Sequence, residues 1–155
     1  MRVWRICRAR YAATAFSGAG ARLYAARWNP VDVPMVYAAS SLALAAVETF
    51  VNLEPLDAPA DLVAIAAELP VEAGRCERLD LAKLPRDWRR ENHPELRHIG
   101  AEWVRSRRSL ALMVPSAAVD GDWNVLVNPL HAEAGKIKVE KPKPFRFDDR
   151  MFRRR

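Results

Sequence analysis

The sequence predicts a single domain of the mixed α+β class. The chain has 155 residues, a length that suits one domain built around one hydrophobic core. Eleven prolines and six glycines interrupt it, which indicates short helices and strands rather than a helical bundle. Apolar runs of strand length are interspersed with segments whose apolar residues recur at helical spacing.

The amino-terminal part predicts one strand and a flexible loop. Residues 3–7 have the alternating pattern of a strand. Residues 8–21 are mostly small and include two glycines, so we expect them to form a flexible loop. Residues 22–28 return to an extended pattern, and an Asn-Pro pair then marks a turn.

Residues 35–53 predict a strand followed by an amphipathic helix. The strand spans residues 35–39, and Ser40 or Ser41 can cap the helix by accepting the free N–H groups of its first turn. We expect the helix to end near Leu53, before a loop over residues 54–60. This apolar run is not a membrane span, because serine, glutamate, threonine and asparagine interrupt it.

The second half of the chain predicts one long helix and several strands. Residues 62–69 fit a strand or a helix, and prolines at both ends favour the strand. Residues 94–106 have helical spacing, with Asn92 or His93 as the candidate N-cap. The other predicted strands span residues 71–81, 109–114, 123–127, 136–140 and 144–147. The charged tail from Asp148 has little to bury, so we expect it to fray.

Three polar side chains stand close together in an otherwise apolar stretch: Arg27, Tyr37 and Glu48. Glu48 is the only charged residue in positions 36–53. A carboxylate in apolar surroundings is costly unless it has a partner or a functional role. A guanidinium suits a phosphate, a tyrosine ring stacks on other rings, and a glutamate can stabilise positive charge on a sugar. The three therefore suit a nucleotide-like ligand with a breakable glycosidic bond. The structural alternative is an Arg27–Glu48 ion pair beside a core tyrosine.

Longer motifs resemble the RES domain family. They are RWNP at residues 27–30, VPMVYAASSLALAAVETF at residues 33–50, and LALMVPSAAV followed by WNVLVNPLH within residues 110–131. The family is named after an arginine, a glutamate and a serine, which match Arg27, Glu48 and Ser116. Without the resemblance, a serine at a strand end could simply bond a turn.

The resemblance covers residues 3–149, so residues 1–149 are assigned to a RES domain and residues 150–155 to a basic tail. Two positions depart from the family pattern. Ala25-Ala26 stands where the family usually has two glycines before the arginine. Asp122-Trp123-Asn124 stands where the family usually has Glu-x-Asn.

The resemblance implies an α+β domain with split mixed β-sheets flanked by helices, similar to the ADP-ribosyltransferase fold, with NAD bound between the sheets. By the same resemblance, Arg27 would hold the NAD phosphate or ribose, Tyr37 would pack on nicotinamide, and Glu48 would steady the transition state. Ser116 would orient Glu48 or a ribose hydroxyl, and Asn124 would join the NAD-binding set. NAD would be the substrate rather than a cofactor, with inorganic phosphate as an alternative to water.

The resemblance also implies a function and a partner. The function is that of a toxin in a toxin–antitoxin system, which cleaves NAD+ at the nicotinamide–ribose bond by hydrolysis or phosphorolysis. The partner is an Xre-type DNA-binding antitoxin that occludes the active site in an oligomeric complex. Two alternatives stay open: an ADP-ribosyltransferase that modifies a protein, and a binding module without catalysis.

Composition limits the other function classes. The net charge is +6, but much of the excess lies in arginine clusters at residues 86–90, 105–108 and 150–155. No nucleic-acid motif accompanies them, so solvated surface, an anionic ligand or an acidic partner explains the charge better than nucleic-acid binding. The histidines and the two cysteines form no zinc or redox motif. The amino terminus has no signal-peptide pattern, so we expect a cytoplasmic protein without membrane contact.

Overall fold

The computed structural model describes residues 1–53, 59–72 and 76–152. The strands are β1 Arg2–Arg8, β2 Val36–Ala39, β3 Leu62–Glu68, β4 Glu77–Arg78, β5 Ala111–Pro115, β6 Trp123–Val127, β7 Lys138–Val139 and β8 Lys143–Pro144. The helices are α1 Ala19–Leu23, α2 Leu42–Phe50 and α3 Pro94–Ser106. Short 3-10 turns span Ala9–Thr14, Leu81–Lys83, Ala134–Lys136 and Asp149–Phe152.

The strands form a mixed sheet in the order β4-β5-β6-β2-β1-β3-β7, and β8 also pairs with β3. The β4–β5 pair is parallel, whereas the other pairs are antiparallel. The predicted α+β class is therefore confirmed. The sheet is continuous but narrow at its centre, because β1 and β2 meet at one residue pair, Trp4 and Ala39. The resemblance implies split sheets, whereas the described strands form one mixed sheet whose two parts are joined at this pair.

Most of the largest buried side chains pack around α3 and the strands β5 and β6. Trp103 of α3 is fully buried and its indole N–H donates to Ser109 Oγ at 2.8 Å. On the same helix, a Cβ added at Gly100 would lie 1.9 Å from the backbone oxygen of Trp28. A glycine at this position therefore lets α3 approach the segment that carries Arg27.

The two helices predicted from spacing form with caps that the sequence supplies. Ser41, one of the two candidate serines, caps α2 by accepting from Leu44 N at 3.1 Å. His93 caps α3 by accepting from Glu95 N at 3.2 Å, and α3 spans the predicted residues. Capping satisfies N–H groups that would otherwise lack a partner, so it sets where each helix begins.

Several local predictions were wrong. Residues 8–21 contain the 3-10 turn Ala9–Thr14 and the start of α1, and residues 22–28 are not a strand. The alanines of residues 9–21 favour helical conformations, which accounts for the turn and for α1, whereas residues 24–28 form neither helix nor strand. Helix α2 ends at Phe50 rather than near Leu53. Of the predicted strand 71–81, residues 73–75 lie outside the described residues, and among the others only Glu77–Arg78 form a strand. The predicted strands 136–140 and 144–147 are reduced to the short strands β7 and β8.

The expected fraying of the tail is also corrected for its first residues. The turn Asp149–Phe152 brings Phe152 against Phe50 and Phe147, with ring centroids 5.3 and 5.9 Å apart. This aromatic packing buries apolar surface, contrary to the expectation that the tail has little to bury. Residues 153–155, and residues 54–58 of the predicted loop 54–60, lie outside the described residues.

Candidate active site

A cavity of about 830 Å³ lies at the narrow junction of the sheet, and we call it the main cavity. Its walls come from β1, β2, β6, α2 and the loop before α3. Of the predicted site residues, Arg27, Tyr37, Glu48 and Asn124 line it. Ser116 lies between the lining residues Pro115 and Ala117 and reaches the cavity through Glu48. The fold thus brings all five predicted residues to one place.

Glu48 is held through one carboxylate oxygen. Its Oε1 atom accepts hydrogen bonds from Ser116 Oγ at 2.6 Å and from Asn124 Nδ2 at 2.5 Å. Within the described part of the chain, no hydrogen bond reaches the Oε2 atom. Two hydrogen bonds to one oxygen fix the orientation of the carboxylate. The second oxygen therefore remains available to a ligand in the main cavity.

Ser116 combines the two roles considered from the sequence. Its Oγ accepts from the backbone N–H groups of Ala118 at 3.1 Å and Val119 at 2.9 Å, so it stabilises the turn after β5. A hydroxyl has one hydrogen to donate, and here that hydrogen points to Glu48. Ser116 is 2% exposed. Its geometry is therefore that of a residue that orients Glu48 rather than one that reaches a ligand.

Arg27 is held by the loop before α3. Its Nη1 atom donates to the carbonyl oxygens of Trp88 at 3.1 Å, Arg89 at 3.0 Å and Arg90 at 3.3 Å. The ion pairs among the described residues do not include one between Arg27 and Glu48. Both side chains line the main cavity separately, so the structural alternative of an Arg27–Glu48 pair finds no support.

Tyr37 uses its hydroxyl inside the protein. The hydroxyl donates to Asn29 Oδ1 at 2.7 Å and accepts from Trp28 N at 3.0 Å. Burial raises the pKa of Tyr37, so the phenol stays protonated at neutral pH. What remains for a ligand is the ring, which lines the main cavity.

Arg5 is a site residue that the sequence reading missed. It lines the main cavity, and its Nη1 atom donates to the backbone oxygen of Tyr37 at 2.7 Å. Its Nε atom is buried without a hydrogen-bond partner, and no ion pair of Arg5 occurs among residues 1–53, 59–72 and 76–152. Burial lowers the pKa of Arg5 because a charged group loses hydration there. The sequence does place Arg5 two residues after the apolar residue Val3 in β1, which puts both on the same face of the strand.

The two departures from the family pattern lie at the site. Ala25 and Ala26 line the main cavity, and the backbone oxygen of Ala26 accepts from Arg97 Nε at 3.0 Å. Asn124 retains a direct contact with Glu48. In the part of the chain that the structure describes, no cluster of three His, Cys, Asp or Glu side chains is placed to hold a metal ion. No described helix is long and apolar enough to cross a membrane.

The chain is similar to a protein family and to several known proteins. The family model described as "RES domain" matches residues 2–148. A "Prs ADP-ribosylating toxin" from Sphingobium sp. (strain YBL2) is 39% identical, over 97% of this chain and 96% of that protein. A "Toxin Res" from Photorhabdus laumondii is 34% identical, over 97% of each chain.

A solved structure shares the fold. It is the M. tuberculosis MbcT–MbcA toxin–antitoxin complex, with a TM-score of 0.70 and 17% sequence identity. The match covers 93% of this chain and 83% of that chain. The family model spans nearly the whole sequence, and both relatives align over 97% of this chain. The chain therefore belongs to the RES domain family of toxins.

Proposed function

We propose that this chain cleaves NAD+ at the bond between nicotinamide and ribose. The observation that carries the proposal is the arrangement of Glu48. Ser116 and Asn124 hold one oxygen of its carboxylate, the other oxygen is free of hydrogen bonds among the described residues, and Arg27 does not neutralise it. A carboxylate fixed in this way in a large cavity can stabilise positive charge that develops on a sugar.

The chemistry follows from the charges of the substrate. The nicotinamide ring of NAD+ is cationic, so it leaves with the electron pair of the glycosidic bond and needs no acid to protonate it. Positive charge then moves onto the ribose, where the free oxygen of Glu48 stabilises it. Ser116 and Asn124 hold the other oxygen and so keep the carboxylate in place, which limits reorganisation during the reaction.

Arg27 is suited to the diphosphate of NAD+. It lines the main cavity and has no carboxylate partner among the described residues. A guanidinium matches phosphate oxygens well. The ring of Tyr37 would pack on the nicotinamide end of the substrate.

The acceptor in this proposal is water or inorganic phosphate. Its oxygen forms a bond to the ribose carbon that nicotinamide has left, which gives ADP-ribose or its phosphate ester. With water, one proton is released, and the carboxylate of Glu48 can accept it. Phosphate would serve as a second substrate, and NAD+ as a substrate rather than a cofactor.

The test is NAD+ consumption by the purified chain, with and without inorganic phosphate, followed by chromatography of the products. Nicotinamide release is expected from the wild type and not from Glu48→Gln, whose side chain is nearly isosteric. Circular dichroism should show that the variant still folds. If the wild type, folded and free of partners, releases no nicotinamide, the proposal is wrong, and the transferase and the binding module remain.

A second candidate function is ADP-ribosylation of a protein. The name of the Sphingobium relative, which is 39% identical to this chain, favours it. The bond that breaks is the same, but an acceptor side chain takes the place of water or phosphate. With labelled NAD+, free product supports NAD+ cleavage, whereas label on a protein supports transfer.

We also propose an antitoxin partner for this chain, of Xre type and placed over the active site. The structural relative is a toxin–antitoxin complex, which supports a partner of this general kind. With a net charge of +6, a complex with an acidic partner should weaken as salt rises. Equal affinity at low and high salt would contradict a role for the basic surface. Such a toxin would act in the cytoplasm.

A further inference from the structure

A second, smaller cavity of about 310 Å³ opens beside the main cavity, and we call it the side chamber. The two cavities share Arg5, Tyr37 and the Ala25-Ala26 pair as lining residues. Glu48 lines the main cavity but not the side chamber. The mechanism proposed above therefore leaves the side chamber without a role, although it adjoins the site.

The walls of the side chamber suit a small, flat and uncharged group. They consist mainly of alanines and glycines from α1 and the turn before it, together with Met35 and the rings of Tyr24 and Tyr37. None of its lining residues is acidic. Its volume is at the lower limit of ligand pockets, so it has room for a single ring but not for a dinucleotide.

Where the two cavities meet, Arg5 favours a neutral group over a cationic one. Its guanidinium lines both cavities, and its buried Nε–H has no acceptor in the described part of the chain. The positive charge of Arg5 would repel a cationic ring at this point, because burial weakens the screening between two charges. A neutral ring with a carbonyl oxygen would instead be attracted, since that oxygen can accept a hydrogen bond from the part of the Arg5 guanidinium that lines the cavities.

We propose that the side chamber receives nicotinamide once the glycosidic bond has broken and leads it to solvent. This inference rests on the proposed cleavage of NAD+. In the substrate the ring carries a positive charge, so Arg5 disfavours its entry into the chamber. When the electron pair of the broken bond returns to the ring nitrogen, nicotinamide becomes neutral, and its carboxamide oxygen can accept from Arg5. Ala19, Gly20 and Tyr24 on the chamber wall are exposed, so the chamber has its own opening.

Gly20 lines the chamber, so Gly20→Leu tests it by adding a bulky side chain at its wall. A Cβ at Gly20 meets no atom within 4 Å, so the backbone can accept the new side chain. Gly135→Leu is the matched control, because a Cβ there also meets nothing within 4 Å and Gly135 lines neither cavity. For Gly20→Leu, the inhibition constant of nicotinamide should rise about tenfold, as is typical when a pocket loses space for its ligand. The KM for NAD+ and inhibition by ADP-ribose should stay unchanged, as they should in the control.

A charged analogue tests the role of Arg5. 1-Methylnicotinamide has nearly the shape of nicotinamide but a permanent positive charge, so it should inhibit the wild type far more weakly. Equal inhibition by the two compounds, or unchanged nicotinamide inhibition in Gly20→Leu, would overturn the inference. If the wild type consumes no NAD+, the proposed function fails on its own. Titration of nicotinamide into wild type and Gly20→Leu then still decides whether the chamber binds it.

Discussion

Replacing Ser116 by alanine tests how Glu48 is oriented. The hydroxyl of Ser116 donates to Glu48 Oε1 at 2.6 Å, while Asn124 donates to the same oxygen at 2.5 Å. The substitution removes the first bond and leaves the second. A hydrogen bond to a charged group contributes about 1.5–3 kcal/mol. If that contribution is needed in the transition state, kcat should fall about 10-fold to 150-fold.

The assay is steady-state NAD+ cleavage, with kcat and KM determined separately. KM should change little, because Ser116 lies behind Glu48 and is 2% exposed. Ser106→Ala is the matched control, since its hydroxyl donates to the backbone oxygen of Trp103 at the end of α3, away from the main cavity. If Ser116→Ala lowers the melting temperature but leaves kcat unchanged, Ser116 only stabilises its turn. The orienting role would then be wrong.

Two further predictions concern stability. Gly100→Ala should destabilise the fold by about 1–3 kcal/mol, because the new Cβ would lie 1.9 Å from the backbone oxygen of Trp28. Gly135→Ala is the control and should leave stability unchanged, because its Cβ meets nothing within 4 Å. Urea denaturation measures both changes. Burial raises the pKa of Glu77, but hydrogen bonds from Arg108 and a neighbouring serine outweigh it, so the net pKa is lowered. The stabilisation that Glu77 provides is therefore complete above its ordinary pKa of about 4.3 and lost as pH falls below it. The difference in melting temperature between wild type and Glu77→Gln should be constant above that pH and shrink in acid; a difference that grows in acid would contradict this sign.

The site residues could be found from the sequence for different reasons. Glu48 stands out because a single carboxylate in an apolar helix is costly, and this signal needs no knowledge of the fold. Ser116 has no such signal, since a serine after a strand is ordinary in a turn. Its assignment came from the resemblance, and the structure places its hydroxyl on Glu48.

The place of Arg5 in the site could not be predicted from the sequence. An arginine in a short strand usually extends to solvent, so its type and position carried little information. Its role depends on the sheet order, in which β1 lies between β2 and β3 and meets β2 at one residue pair. Beside that pair the side chain donates to the backbone oxygen of Tyr37. Nothing local in the sequence specifies which strands become neighbours.

The sequence by itself determined the elements that depend on local chemistry. Helix α3 has the predicted bounds because its spacing, its proline at the first position and the His93 cap act within a few residues. Strands β3, β5 and β6 lie where apolar runs of strand length predicted them. The candidate carboxylate and its helix were recognisable for the same reason.

Only the tertiary structure decided which groups meet. It holds Arg27 on the carbonyl oxygens of residues 88–90 instead of on Glu48, and it forms the side chamber from α1 and the rings around it. The carbonyls that hold Arg27 lie more than 60 positions along the chain from it. Contacts at such separation depend on how whole elements bury their apolar faces, and no local pattern in the sequence encodes that packing.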